Sequence, residues 1–283
     1  MFRQVSTFAL GGLAALGSLI VGCSKSSDPS QQDAGEGGKR QGPPIAVDLG
    51  KGVKLEMVSI PAGEFLMGSL DADPDAQEKE QPQHRVRITK PFYLGQHLVT
   101  QAQWEAVMGS NPSKFKGPKN PVEGVSWDDC QEFLDKLNQR PGNPAGKFVL
   151  PSEAQWEYAI RAGSTTRFCC GDDESQLGEY AWFEVNSDSK PHRVGEKKPN
   201  TWGLYDMHGN IWEWCQDWYE EGYYKNSPAN DPSGPPHGED RVRRGGCWGI
   251  PAAHCRSANR NGDEPGDRTD DLGFRIALVP ADK

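Results

Sequence analysis

The chain has no excess of basic residues, no repeat at solenoid spacing and none of the local patterns that mark common hydrolase or nucleotide sites. Its 40 Asp and Glu outnumber 31 Lys and Arg, and the net charge of −9 would repel nucleic-acid phosphates, so nucleic acid is excluded as a partner. The histidines His84, His97, His192, His208, His237 and His254 include no pair four apart on a helix, which removes a zinc-hydrolase site. No glycine-rich phosphate loop follows a strand, and no G-x-S-x-G elbow occurs. Hydrophobic content is modest at 35%, yet nine Trp, ten Phe and seven Tyr supply a core through large buried area per residue. With 33 Gly and 22 Pro, a loop-rich fold is favoured over long helices.

The N-terminus carries one basic residue, Arg3, and then an apolar run from Phe8 to Val21. That run is short for a bilayer span and suits a secretory signal. Its end, Ile20-Val21-Gly22-Cys23, resembles a bacterial lipobox, in which the cysteine is acylated. We therefore expect a lipoprotein signal peptide over 1–22, an acylated Cys23 with a flexible Ser-, Gly- and Gln-rich tether over 23–44, and a single domain over 45–283. The expected location is the bacterial cell envelope, with membrane contact through the lipid anchor only. Export also implies surroundings in which disulfides persist.

Three capping signals predict helices. Thr100 precedes QAQWEAVMG, Ser126 with Asp129 opens WDDCQEFLDKLN, and Ser152 with Gln155 opens EAQWEYAIRAG. The spacing of Cys130, Phe133, Leu134 and Leu137 puts them on one helix face. Strands are predicted at Met57–Ile60, Phe65–Met67, His84–Ile88, Arg241–Arg244 and Phe274–Val279. Little between Arg167 and Arg241 is periodic, although its aromatics and glycines suggest ordered irregular structure.

Within that span, GLYDMHGNIWEWCQDWY places Asp206 and Glu213 on either side of a Gly209-Asn210 turn. Oxygen donors on a bent backbone suit a hard cation such as Ca²⁺. The competing reading pairs the two carboxylates with Arg243, Arg244, Arg256 or Arg275.

GLYDMHGNIWEW resembles the signature segment of the formylglycine-generating enzyme family, also called sulfatase-modifying factors. The resemblance continues, in the family's order, through EMVSIPAGEFLMGS, NPVEGVSWDDCQEF, LPSEAQWEYAIRAG, RVRRGGCW and DLGFRIAL. It implies a single α+β domain, irregular and loop-rich, with few short helices and strands, related to C-type lectins and stabilised by calcium. By the same resemblance the calcium ligands fall on Asp206, Gly209, Ile211 and Glu213, with Gly209 and Ile211 offering carbonyls.

Catalytic members of the family oxidise a sulfatase cysteine to formylglycine with O₂, using two thiols that bind Cu(I). Those thiols lie three and eight positions after the serine of a Gly-Gly-Ser turn. Here Cys247 stands at the serine, Ile250 at the first thiol position and Cys255 at the second, so the copper pair is incomplete. Three readings of the thiols stand open. Cys247 and Cys255 jointly replace the copper pair, or Cys255 is bridged, with Cys215 as a candidate partner, or both are buried and inert. Of the remaining thiols, the adjacent Cys169 and Cys170 would be strained as a disulfide, and Cys130 reads as core.

The expected function is a lipid-anchored sulfatase-modifying-factor domain. Three forms are open: a Cu(I)- and O₂-dependent oxidase acting at Cys255 and Cys247 on a sulfatase or other cysteine-containing segment, a non-catalytic binding module on the same scaffold, or a structural envelope protein whose tether and domain organise its neighbours. In the second form Trp182, Trp202, Trp218 and Trp248 are candidates for a recognition surface, with core packing the favoured reading for each.

Overall fold

Each of the three helices opens on its expected capping box. Thr100 accepts the Gln103 N–H, and its own N–H donates to the Gln103 side chain, starting α1 (Gln101–Met108), which Gly109 ends in the left-handed region at φ 83°. Ser126 and Asp129 do the same for α2 (Trp127–Asn138), whose Trp127, Cys130, Phe133, Leu134 and Leu137 are buried together. Ser152 and Gln155 start α3 (Glu153–Arg161), which Ala162 ends at φ 46°, one residue before the glycine expected to end it. Such caps contribute about 1 kcal/mol each, enough to place a helix start. The computed structural model describes residues 42–280. The expected signal peptide, Cys23 and the tether up to residue 41 lie outside them.

Eleven short strands form three sheets among the described residues. The largest runs β1 (Ile45–Gly50), β2 (Val53–Ile60), β5 (Phe92–Gly95), β11 (Ala277–Val279) and β6 (Lys147–Val149), antiparallel throughout. A second has the order β10 (Leu272–Phe274), β7 (Trp212–Trp218), β8 (Arg241–Arg244) and β9 (Arg260–Asp263), with β10 parallel to β7. The hairpin of β3 (Gly63–Met67) and β4 (His84–Ile88) is the third.

The expected His84–Ile88 and Arg241–Arg244 strands are found with those bounds, and Met57–Ile60 is the second half of β2. The expected strand Phe274–Val279 is instead two strands in two sheets. The chain crosses between them at Arg275, whose guanidinium donates to Glu213 of β7, to Gly95 of β5 and to the Tyr205 carbonyl, pinning the crossover. Strand β7 was hidden inside the aperiodic span because both of its faces are buried. Trp212 and Trp214 pack with α2, whereas Glu213, Cys215 and Asp217 face the other way. A strand covered on both faces loses the apolar–polar alternation by which strands are recognised.

Between β7, β8, β9 and α3 lies a set of buried ion pairs. Arg260 forks onto Glu153 at 2.6 and 2.9 Å, and Arg244 binds Glu157, which also accepts from Arg161 at 2.9 Å. Arg256 forks onto Glu80 at 2.7 and 2.8 Å, and Arg275 onto Glu213 at 3.0 and 3.1 Å. The four arginines Arg244, Arg256, Arg260 and Arg275 are each at most 1% exposed. Desolvating such ions is expensive, so each pair is tolerated only because its geometry is good, and losing one partner leaves a bare buried charge.

Replacing Arg260→Met should therefore cost about 3–5 kcal/mol. Glu153 would be left with Arg244 at 3.5 Å as its nearest cation. Adding Glu153→Leu should recover much of that loss. Denaturant unfolding of the three variants measures this, and a single variant as stable as the parent would contradict the account.

Candidate functional site

Strand β8 runs into Gly245 and Gly246, both in the left-handed region at φ 98° and 80°. A side chain on Gly246 would sit 2.6 Å from the Cys255 sulfur, so glycine there is what lets the two cysteine segments close on one another. Cys255 ends a short 3-10 turn, Ala252–Cys255, that lies against the Gly246 backbone beside Cys247. The Cys247 thiol in turn donates to Asp271 Oδ2 at 3.2 Å. The two residues are thus brought together, as one of the three readings required.

They are also sealed. Cys247 is 1% exposed and Cys255 is 0% exposed. Burial pushes the Cys255 thiol up to about 12, and burial together with the Asp271 charge holds Cys247 well above the usual thiol range. The reactive and metal-binding form of cysteine is the thiolate, so both are held in the wrong protonation state at neutral pH. Ile250, at the position of the missing thiol, packs against the apolar cluster around Cys255 and against that around Cys247. The bridge considered between Cys215 and Cys255 is not formed. All six cysteines of the described residues are free, and Cys215 packs beneath α3 in a different cluster from Cys255. His208 is fixed between the Cys255 carbonyl, 2.7 Å from Nδ1, and the Cys169 N–H, which donates to Nε2 at 3.1 Å. Its burial lowers it to about 4, which keeps the ring neutral.

Of the expected cation ligands, Asp206, Gly209 and Ile211 lie in one buried turn, and Glu213 follows in β7. Asp206 and Asn210 both have positive φ, 56° and 65°, on either side of Gly209 at 71°. Asp206 accepts the Gly195 N–H at 2.8 Å and the Asn210 amide at 3.3 Å, and burial raises it to about 6. Glu213 is already engaged. It takes the Arg275 fork and the Trp156 indole N–H at 2.9 Å, so the arginine pairing holds for one of the two carboxylates. The donor set is all oxygen and carries two buried carboxylates against one guanidinium, an imbalance that a hard cation fits. Among the described residues, no group of three or more His, Cys, Asp or Glu side chains is placed to hold a metal, so such a cation would lean on the Gly209 and Ile211 carbonyls.

A cleft of about 360 Å³ opens elsewhere, lined by Ser69, Asp73, Arg161, Thr166, Arg167 and Arg256 among others, and by neither Cys247 nor Cys255. Of the four tryptophans weighed as a recognition surface or as core, Trp202 is core, stacked edge-on to Tyr158. Trp182 is half-buried, stacks on His192 at 3.7 Å and carries the Lys197 ammonium at 3.8 Å from its centroid. Trp218 is covered by Arg241, and Trp248 lies against Phe115. Asp271, the partner of Cys247, was missed by sequence reasoning. It lies 24 residues away, and no local signal connects the two.

With this geometry in hand, comparison with known proteins is direct. The sulfatase-modifying factor enzyme 1-like domain family matches residues 50–279. The chain belongs to that family. The chain is similar to the formylglycine-generating enzyme of Streptomyces coelicolor, 29% identical over 286 residues that cover 78% of this chain and 88% of that protein. A protein of Chlamydia pneumoniae named serine/threonine-protein kinase pkn1 is 33% identical over 80% of this chain, but the chain spans only 38% of its length. Treponema denticola variable protein 1 superposes with a TM-score of 0.77 at 33% identity, covering 85% of this chain and 100% of that one. The α+β sulfatase-modifying-factor fold is therefore that of this domain.

Burial makes a sharp demand on thiol chemistry. In the native protein at pH 7.5, iodoacetamide should leave Cys247 and Cys255 unmodified over times that fully label both in denaturant, as peptide mass spectrometry would show. Labelling of either at the rate of an exposed thiol would contradict the sealed geometry.

Proposed function

We propose that this domain is a non-catalytic binding member of the sulfatase-modifying-factor family, held at the bacterial envelope by an acylated Cys23. The observation that carries this reading is the burial of the Cys247–Cys255 pair with both thiols protonated and Ile250 where the other copper thiol would stand. A copper-dependent oxidase needs two accessible thiolates and an O₂-facing pocket, and neither thiol lines a described cleft. The cleft around Arg167 and Asp73 presents charges of both signs together with the Ser69 and Thr166 hydroxyls. That chemistry suits a polar polypeptide segment, with a sulfatase among the candidates, more than an apolar ligand.

The oxidase reading keeps one supporting observation, the close approach of the Cys255 sulfur to the backbone at Gly246, next to Cys247. Anaerobic Cu(I) titration separates the two. The proposal expects no copper binding that depends on Cys255, and no O₂ uptake with a peptide carrying the C-x-P-x-R segment of sulfatases. Stoichiometric binding lost in Cys255→Ser but kept in Cys170→Ser would overturn it.

We further propose that Ca²⁺ sits at Asp206, Glu213 and the Gly209 and Ile211 carbonyls, sharing Glu213 with Arg275, and that its role is to compensate the buried Asp206 carboxylate. A cation bound only by the folded state raises the melting temperature by mass action. Excess chelator should therefore lower the melting temperature, added Ca²⁺ should restore it, and Asp206→Ala should remove the response. A melting temperature indifferent to chelator in the parent protein would defeat this assignment.

A further inference from the structure

Outside the segment discussed above, Cys169 and Cys170 occupy an unusual place. Phe168 and Gly171 exchange two backbone hydrogen bonds, at 3.1 and 3.2 Å, so the two cysteines are the tip of a two-residue hairpin turn. Both arms are pinned. Phe168 is 0% exposed in a cluster with Leu177, Phe183 and Cys255, and Asp172 accepts the Arg167 N–H at 2.9 Å. The Cys169 N–H is held by His208, while the two thiols remain half-buried and unbridged. Cys170 packs in part against that same cluster, but core packing alone does not account for two adjacent, unbridged thiols presented at a turn.

We propose that Cys169 and Cys170 form a redox-active dithiol whose substrate is a small disulfide of the glutathione-disulfide class. The Cys170 thiolate attacks one sulfur of the substrate, breaking its S–S bond and releasing one half as a thiol that takes up a proton. Cys169 then gives up its proton and attacks the Cys170 sulfur of the mixed disulfide, releasing the second half. Two S–H bonds of the protein become one S–S bond, and the oxidant is reduced to two thiols. Cys169 is anchored through its N–H to the buried His208, which leaves Cys170 as the attacking group, and the neighbouring thiol holds Cys170 below the usual thiol range.

Adjacent Cα atoms lie about 3.8 Å apart, shorter than the usual disulfide span, so the product is strained and readily reduced. Strain of that kind suits an exchange site and not a structural staple. The oxidation state of the turn is also placed to be felt elsewhere. Thr166, Arg167 and Asp172 line the cleft, and His208 links Cys169 to the Cys255 carbonyl.

The test uses the full chain treated with glutathione disulfide, quenched with acid, alkylated and digested with trypsin. Because the Lys190-Pro191 bond resists trypsin, the peptide from Phe168 to Arg193 carries both residues and no other cysteine. The expected product is that peptide without alkyl groups and lighter by two hydrogen atoms, returned to the dithiol by reduced glutathione. Cys169→Ser should stop at a glutathione adduct on Cys170, and Cys170→Ser should give little adduct. A persistent adduct on the parent protein, full alkylation of both thiols after oxidant, or a bridge from either thiol to Cys255 would each overturn the proposal.

Discussion

Four buried arginines and the glutamates they grip are the constraint on which this fold depends. Little of the chain is regular, and the helices are short, so hydrogen-bonded secondary structure alone cannot hold the loops in register. The guanidinium groups of Arg244, Arg256, Arg260 and Arg275 each reach several partners in fixed directions. They tie carbonyls of loops as well as carboxylates of α3, β7 and the Glu80 segment. An apolar core of similar volume would be cheaper to bury, but it would not specify which loop meets which. Here direction, more than net energy, is what the ion pairs contribute.

The same dense packing governs the thiols. Closing the Gly245-Gly246 turn onto Cys255 brings two sulfur-bearing residues together and, in the same act, excludes water from both. A thiol without water or a neighbouring cation stays protonated, and the nearest charged group to Cys247 is the carboxylate of Asp271, which reinforces that state. Proximity without ionisation is a structural arrangement. The turn at Cys169-Cys170 differs because it remains half-buried, with both thiols presented at the tip of a hairpin.

How much could be read in advance depended on whether a signal was local. The capping boxes at Thr100, Ser126 and Ser152 are contained within four residues, and the structure has all three. The exposed-edge alternation of His84–Ile88 was equally legible. Strand β7 was not, because burial on both faces erases alternation, and the break at Arg275 was not, because its cause is a glutamate 62 residues away. For the site, the positions of Cys247, Ile250 and Cys255 were visible as a departure from the family pattern. Their burial and the contact with Asp271 were not.

By itself, the sequence determined membership of the sulfatase-modifying-factor family, the start of each helix and the absence of one copper thiol, since all of these reside in short ordered motifs. Only the tertiary structure decided that Glu213 belongs to Arg275, that Cys215 and Cys255 stay apart, and that Cys247 and Cys255 meet in a dry interior. Those outcomes follow from which surfaces lose water together, a property of packing that no segment of the chain carries alone.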